Sequence, residues 1–291
     1  MTFDDTWLWH LRFGHLNFES LKFLTRKILV IGLSSINYPN KKCEFCILRQ
    51  KHKDPFPKDK AWRAKKPLQL IHSDFCLVEV TSNGGSKYFI TFIDDFSRKT
   101  WVYFLKNKSD ACDVFKKFKY YLEKQSGYFI KILRTDWGTE FLLCDDFLKK
   151  YGFKHQLTVR YTPQQNSVVE RKKRTVMDIV RSMIHSKNMP KSFWAEAVSC
   201  AIYVLNGCPT ICNYGQTPYE IWIGKKSHIS HLKIFGCLAY AHVPDVLKKK
   251  LDDKAKKIFF FFWYSHETKG YKLFNPDTGK VIISRDITFD E

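Results

Sequence analysis

The sequence predicts a mixed α/β core with a small helical, cation-ligating segment before it and a small β-barrel after it. Three observations carry that reading. Between residues 65 and 225, short β-branched and aromatic runs alternate with segments of helical period, in an order that starts a sheet antiparallel and continues it parallel. Before them, His10, His15, Cys43 and Cys46 lie in a basic segment too small for much core of its own. After residue 229, four short apolar runs are separated by turns such as Asn275-Pro276-Asp277-Thr278-Gly279.

The first strand is Leu70-Ile71-His72-Ser73-Asp74-Phe75. The runs Tyr88–Ile93 and Thr100–Leu105 are joined by the polar turn Asp94-Asp95-Phe96-Ser97-Arg98, which makes an antiparallel hairpin. Ser109 reads as the cap of a helix with Ala111, Val114, Phe115, Phe118 and Leu122 at helical spacing, ended by Gly127. Ile130–Arg134 is the fourth strand, Asp146–Tyr151 a short helix closed by Gly152, and His155–Val159 a brief fifth strand. A polar loop, Tyr161 to Ser167, leads to a long helix over about Val168–Ser186, with Val169, Val176, Ile179, Val180 and Met183 on one side, and a further helix spans Phe193–Leu205. The barrel strands are Cys237–Val243, Lys257–Tyr264, Lys272–Asn275 and Lys280–Ser284. Pro55-Phe56-Pro57-Lys58-Asp59-Lys60 and Gly224-Lys225-Lys226-Ser227 punctuate the chain and divide it into 1–57, 64–228 and 229–291.

Composition narrows the class. With 25 Phe, 14 Tyr and 8 Trp among 291 residues, the chain has ample material for a packed core and is not a disordered polyelectrolyte. No run of about 18 apolar residues occurs, so no membrane partner is expected, and the first residues lack the basic flank and apolar core of a secretory signal. Nine cysteines, an odd number with only Cys43 and Cys46 spaced like a site, fit a reducing cytosol or nucleus. Forty-nine Lys and Arg against 29 Asp and Glu leave +20, spread as +6, +10 and +4 over residues 1–64, 65–225 and 226–291. The expected partner is a polyanion.

Against that basic background, three acids stand out. Asp74 closes the first strand, Asp136 follows the fourth, and Glu170 sits in the first turn of the long helix. If the two strands are neighbours, their carboxyl ends meet where open α/β sheets place their sites. Three carboxylates there repel unless cations hold them, and all-oxygen ligands suit Mg²⁺ or Mn²⁺. Two such ions about 4 Å apart serve in-line displacement at phosphorus. Taken singly, each acid also reads as a turn former, a cap or a helix-dipole partner. Asp94 and Asp95 read as hairpin turn residues, and Glu140 as a helper to Asp136.

Two imidazoles and two thiolates, His10, His15, Cys43 and Cys46, suit one closed, structural Zn²⁺ site. The Cys-x-x-Cys pair alone also reads as redox-active or idle. Positions five apart on a helix diverge by about 140°, so Gly14 is expected to break the helix between the histidines; His52 and His72 are spare candidates. Lys173 and Arg174 share the helix face of Glu170 and would point toward a polyanion held near the cations, within the run Arg171-Lys172-Lys173-Arg174. Gln164, Gln165 and Asn166 form a loop able to hydrogen-bond sugar, phosphate or base edges. Each of these also reads as a solvated polar surface, as does the lysine cluster Lys248, Lys249, Lys250, Lys254, Lys256 and Lys257.

The stretches His72-Ser73-Asp74, Arg134-Thr135-Asp136-Trp137-Gly138-Thr139-Glu140-Phe141 and Tyr161-Thr162-Pro163-Gln164-Gln165-Asn166-Ser167-Val168-Val169-Glu170-Arg171 strongly resemble the integrase of Ty1/copia-type retrotransposons. Thr91–Trp101 and Phe193–Ala197 resemble that family's plant members, Leu8–Leu16 its pre-integrase zinc module, and the segment from His231 to Phe289 its SH3-like barrel. The resemblance implies a ribonuclease-H-like core with an Asp-Asp-Glu site that binds two Mg²⁺ and joins the 3′-hydroxyl ends of retrotransposon DNA to host target DNA. It further implies a homo-oligomer acting in the nucleus after cytoplasmic synthesis, with the lysine cluster serving DNA-backbone contact or import. Two departures bear on activity. Only 33 residues separate Asp136 from Glu170, about two fewer than usual, with the shortfall expected near Leu142–Asp146. Ser167 stands where the family has glycine, which predicts strain of about 1–2 kcal/mol if the backbone there needs positive φ. Trp137 and Trp263 are also unusual for the family. With no protease, reverse transcriptase or capsid region, the chain reads as a fragment or a decaying copy. The rival readings are a catalytically inactive DNA-binding remnant and a ribonuclease H acting on hybrids.

Overall fold

In the computed structural model, the described residues are 5–13, 16, 18–26, 32–41, 43–44, 62–136, 148, 151–158, 166–213, 215–227, 229–242, 255–265, 270–276 and 278–290. The chain forms two compact units, 1–60 and 61–291.

In the first unit, α1 (Asp5–Arg12) and α2 (Phe18–Arg26) bury His10 and Leu21. Trp7, His10 and Phe18 pack ring against ring, with His10 stacked on Phe18 at 4.5 Å. The following segment is tied back by Trp9 Nε1 donating to Ser34 Oγ (2.7 Å) and Asn37 N donating to Thr6 Oγ1 (3.1 Å). α1 ends at Arg12, ahead of Gly14.

The second unit is built on a five-stranded sheet: β1 (Leu70–Leu77), β2 (Tyr88–Asp94), β3 (Thr100–Leu105), β4 (Ile132–Thr135) and β5 (Lys154–Leu157), ordered β3-β2-β1-β4-β5. β1–β2 and β2–β3 are antiparallel, while β1–β4 and β4–β5 are parallel. This mixed sheet with flanking helices is the ribonuclease-H-like arrangement. Two-residue alternation sorts the strand side chains onto its two faces. Ile90 and Phe92 go with Ile71 and Leu133 against α3 (Ala111–Ser126), whose Phe115, Phe118 and Leu122 are fully buried. Phe92 stacks on Phe118 at 4.1 Å. Phe89, on the other face, joins the core of α4 (Ser167–Ser186) and α5 (Trp194–Asn206) through Val176, Val180, Trp194 and Val198. Asn206, at the end of α5, pairs its amide with both backbone groups of Thr100 at 2.9 Å, acting as a strand partner for β3.

The helix starts differ from expectation. A 3₁₀ turn over Lys108–Asp110 precedes α3, and the cap is Asn107, whose backbone N donates to Asp110 Oδ2 at 3.2 Å; Ser109 lies inside that turn. Gly127 ends α3 with φ 71 in the left-handed region. Ser167 is helical and is not among the positive-φ residues, so the expected strain is absent. A short helix, α6 (Pro218–Ile223), was not anticipated; Thr217 caps it, Pro218 opens it and Gly224 ends it.

The C-terminal strands β6 (Leu238–His242), β7 (Ala255–Ser265), β8 (Gly270–Asn275), β9 (Lys280–Ser284) and β10 (Ile287–Asp290) form a second five-stranded sheet, ordered β10-β6-β7-β8-β9, with all pairs antiparallel. β10 lies beyond the four strands expected and pairs with β6. The sheet packs onto α5: Ala239, Ala241 and Leu273 belong to the same buried cluster as Trp194 and Val198, and Phe193 meets Phe274 at 5.1 Å. No described helix is long and apolar enough to cross a membrane.

Candidate active site

Asp74 lies within β1, near its carboxyl end, and is 7% exposed. Its Oδ1 accepts from Phe75 N at 2.8 Å, which leaves Oδ2 as the oxygen turned toward a cation. The last parallel pair between β1 and β4 is His72 with Arg134. Asp74, within β1, and Asp136, just beyond the end of β4, each stand two residues past it. Asp136 directly follows β4 and is exposed. Glu170 is exposed in the first turn of α4 and close enough to push up the Asp74 pKa.

The cation at Asp74 is a side chain. Lys173 Nζ stands 2.9 Å from Asp74 Oδ2 and 2.9 Å from the Phe75 carbonyl. Burial raises the Asp74 pKa above the usual carboxylate value; the Lys173 charge and hydrogen bond pull it back, and Glu170 adds to the rise. Among the described residues, no three His, Cys, Asp or Glu side chains converge as a metal cluster. Glu170 acts on Asp74, and the Lys173 ammonium offsets the repulsion there. The buried Asp74 carboxylate, which already holds an ammonium, is an oxygen donor of the hard kind that Mg²⁺ or Mn²⁺ takes; Asp136 and Glu170 are exposed.

The start of α4 is anchored by a buried network behind Asp74. His72 shares the Asp74 face of β1. Its Nε2 meets Asp95 Oδ1 at 3.0 Å and its Nδ1 meets Asn166 Oδ1 at 3.3 Å. Asn166 Nδ2 donates to the Ser73 carbonyl at 3.4 Å. Asp95 also accepts from Ala64 N at 2.7 Å and pairs with Arg98 at 3.1 Å. Burial alone would raise the Asp95 pKa; the His72 hydrogen bond and Arg98 outweigh it and hold it below the ordinary value. Asp94 accepts from Leu68 N, Ser97 N and Ser97 Oγ, closing the hairpin turn as expected.

Several expected positions take other roles. His72, a spare metal-ligand candidate, is committed to Asp95 and Asn166. Asn166, expected in a DNA-reading loop, is 5% exposed and turned into the protein. Lys173 is held at Asp74, and Lys172 is half-buried, its pKa lowered by burial and by Arg98. Arg171 and Arg174 are exposed on α4. The His72–Asp95 link and the Lys173 contact were missed; period-2 alternation along β1 signals the first by placing His72 and Asp74 on one face.

In the N-terminal unit, His10 is 1% exposed and its Nδ1 lies 2.8 Å from the Leu16 carbonyl; Cys43 is 7% exposed. That hydrogen bond fixes the orientation of the buried ring. His15, Cys46, His52, Gln164, Gln165, Trp137, Glu140, Leu142–Asp146, most of the expected Asp146–Tyr151 helix, and the side chains of Trp263 and the lysine cluster lie outside the described residues.

Residues 64–163 match the integrase core domain family, residues 2–51 the GAG-pre-integrase domain, and residues 237–291 the retroviral polymerase SH3-like domain. Over 98% of its length the chain is 41% identical to the retrovirus-related Pol polyprotein from transposon TNT 1-94 of Nicotiana tabacum. Over 97% it is 33% identical to the counterpart from transposon RE2 of Arabidopsis thaliana. These alignments span 21% and 19% of those polyproteins, so the chain is about a fifth of their length. Among solved structures, the catalytic core domain of HTLV-2 integrase, determined in complex with magnesium in a trimeric form, matches at TM-score 0.41 and 19% identity, covering 55% of this chain and 99% of that one. The BIV integrase core matches at 0.40 and 21%, covering 54% and 95%. With three domains matched in order and near-complete alignment to plant transposon polyproteins, the chain belongs to the integrase region of the copia-type retrovirus-related Pol polyproteins.

Proposed function

We propose that this chain is a polynucleotidyl transferase that joins the 3′-hydroxyl ends of retrotransposon DNA to host target DNA. The observation that supports the reading is that Asp74 and Asp136 each come two residues after the last pair of the parallel β1–β4 ladder, with Glu170, in the first turn of α4, close enough to act on Asp74. These three side chains would hold two Mg²⁺ or Mn²⁺ ions. Bound there, the ions activate the attacking hydroxyl and stabilise the leaving oxygen of an in-line displacement. The chain's own work is positioning. Phe75 N fixes one oxygen of Asp74, and the Asp95–His72–Asn166 network holds the first turn of α4, and so Glu170, against β1. Exposed Arg171 and Arg174, with Gln164 and Gln165, supply contacts to the DNA end; the overall charge of +20 supplies backbone affinity.

The N-terminal unit would hold one structural Zn²⁺ through His10, His15, Cys43 and Cys46; the oriented His10 ring and buried Cys43 support that set. Joining two DNA ends calls for a homo-oligomer working in the nucleus. Strand transfer on a short duplex with Mg²⁺ or Mn²⁺ tests the enzyme reading: product is expected from the wild type and at least a hundredfold less from Asp136→Asn, on the order of the loss when a group acting in the transition state is removed. Equal yields would identify a DNA-binding remnant instead. Zinc analysis of the purified chain should return about one ion, and none would refute the four-ligand site.

A further inference from the structure

We propose that Lys173 is a tethered counter-cation of the acidic site, one that competes with the divalent metal for Asp74 and so sets the metal concentration at which the site loads. The inference rests on the metal-site reading above and assigns to Lys173 a role in loading that is separate from contact with DNA.

Two acceptors fix the ammonium, Asp74 Oδ2 at 2.9 Å and the Phe75 carbonyl at 2.9 Å, so it is not a wandering surface pair. The Asp74 side chain is 8% exposed and that of Lys173 31%. Glu170 lies one helical turn before Lys173 on the same face and acts electrostatically on both partners. Asp74 Oδ1 already accepts from Phe75 N, and Oδ2, where the ammonium sits, is the oxygen with no backbone donor among the described residues. A magnesium ion binds a carboxylate oxygen at about 2.0–2.1 Å, so ammonium and metal on one oxygen would be two cations in near contact. Loading is therefore an exchange. The metal takes Oδ2 and the half-exposed lysine withdraws to solvent. With the metal away, Lys173 offsets the charge of a buried carboxylate beside Glu170.

The test is calorimetric titration of the full chain with Mn²⁺, with thermal melting in buffer lacking added Mg²⁺ and Mn²⁺. Lys173→Met, and Lys173→Gln as a polar second variant in case the first folds poorly, are expected to bind Mn²⁺ on the order of tenfold more tightly than wild type, a typical coupling between two ligands of one site. Without added metal both should melt lower than wild type, and Asp74→Asn should suppress that difference. Mn²⁺ binding by either lysine variant that is equal to or weaker than wild type would overturn the competition while leaving the metal site standing. If Asp74→Asn does not change Mn²⁺ binding in wild type or in the lysine variants, the metal-site reading itself fails, and the inference with it.

Discussion

Asp74 is where stability and function pull apart. Burial raises its pKa, so the native state binds its proton more tightly than the unfolded chain does, and stability falls as pH rises from the unfolded value through the raised native one. At neutral pH the ionised carboxylate is therefore a cost that Lys173 only partly offsets. Asp74→Asn is expected to melt at or above the wild-type temperature without added metal while losing strand transfer. A clear drop in melting temperature would show that the ion pair outweighs the burial. Asp95 has the opposite sign. Its pKa is lowered, so its contribution is complete above the unfolded value of about 3.9 and is lost as pH falls through the lower native value. Asp95→Asn, which removes the charge paired with Arg98 and turns one of the two acceptor oxygens shared by His72, Arg98 and Ala64 N into a donor, is expected to cost about 1–3 kcal/mol in urea unfolding at pH 7. That deficit should shrink as the pH is taken from 5 toward 3; a deficit independent of pH would show that the loss comes from packing and not from the charge. Arg98, the central cation of this network, adopts φ 65 in the β2–β3 turn, a conformation tolerated because Asp95 and Asp94 fix the turn from both sides.

At the level of elements, what was legible in the sequence was what local periodicity encodes. β1, β2 and β3 fall where alternating aromatic and β-branched runs place them, and the stripe Val169, Val176 and Val180 sets the buried face of α4. Less was legible where the decisive partner is remote. Asn107 caps the turn before α3 because Asp110 reaches back to it, although Ser109 satisfies the same rule on paper. β10 has only four residues and alternates half-buried with exposed positions; it is a strand because β6 offers it an edge. Asp74 and Lys173 are 99 positions apart, and no window of sequence contains both. Asp136 directly after β4 and Glu170 in the first turn of α4 stand where the sequence pattern put them, while β1 runs on past Asp74 to Leu77. Gly270 shows the reverse, a requirement that only packing explains. A Cβ there would stand 2.8 Å from Ile283 Cγ2 and 3.2 Å from the Ser284 carbonyl, on the neighbouring strand β9. Gly270→Ala is expected to destabilise the second unit by about 1–3 kcal/mol, the usual range for overpacking. An unchanged urea midpoint would mean that β8 and β9 part without cost.

Considered as a whole, the molecule separates at residue 60 and nowhere else as cleanly. Sequence punctuation near Gly224 suggests a boundary between core and barrel, yet packing runs through it. Phe193, Trp194, Val198 and Ala201 of the α5 region share one buried cluster with Phe235, Cys237, Ala239 and Leu273. Within that cluster Ala197, Val198, Ala201, Ala239 and Leu273 are fully buried. The second sheet therefore serves as the cover for a face of α5 that the first sheet does not reach. Fully burying one aliphatic or aromatic side chain is worth about 1.5–3 kcal/mol, and a domain has only about 5–15 kcal/mol in all, so uncovering several together should not be survivable. A chain of residues 61–291 is expected to fold by itself and melt in one cooperative transition. A chain of residues 61–228 is expected to aggregate or to bind a hydrophobic dye strongly. The comparison is direct, by size-exclusion chromatography, dye fluorescence and calorimetry on the two truncations. If 61–228 were monomeric, cooperative and silent to the dye, the barrel would be an appended module. If it fails while 61–291 succeeds, Asp74 in β1, Asp136 just after β4 and Glu170 in α4 depend for their placement on strands more than sixty residues downstream of Glu170.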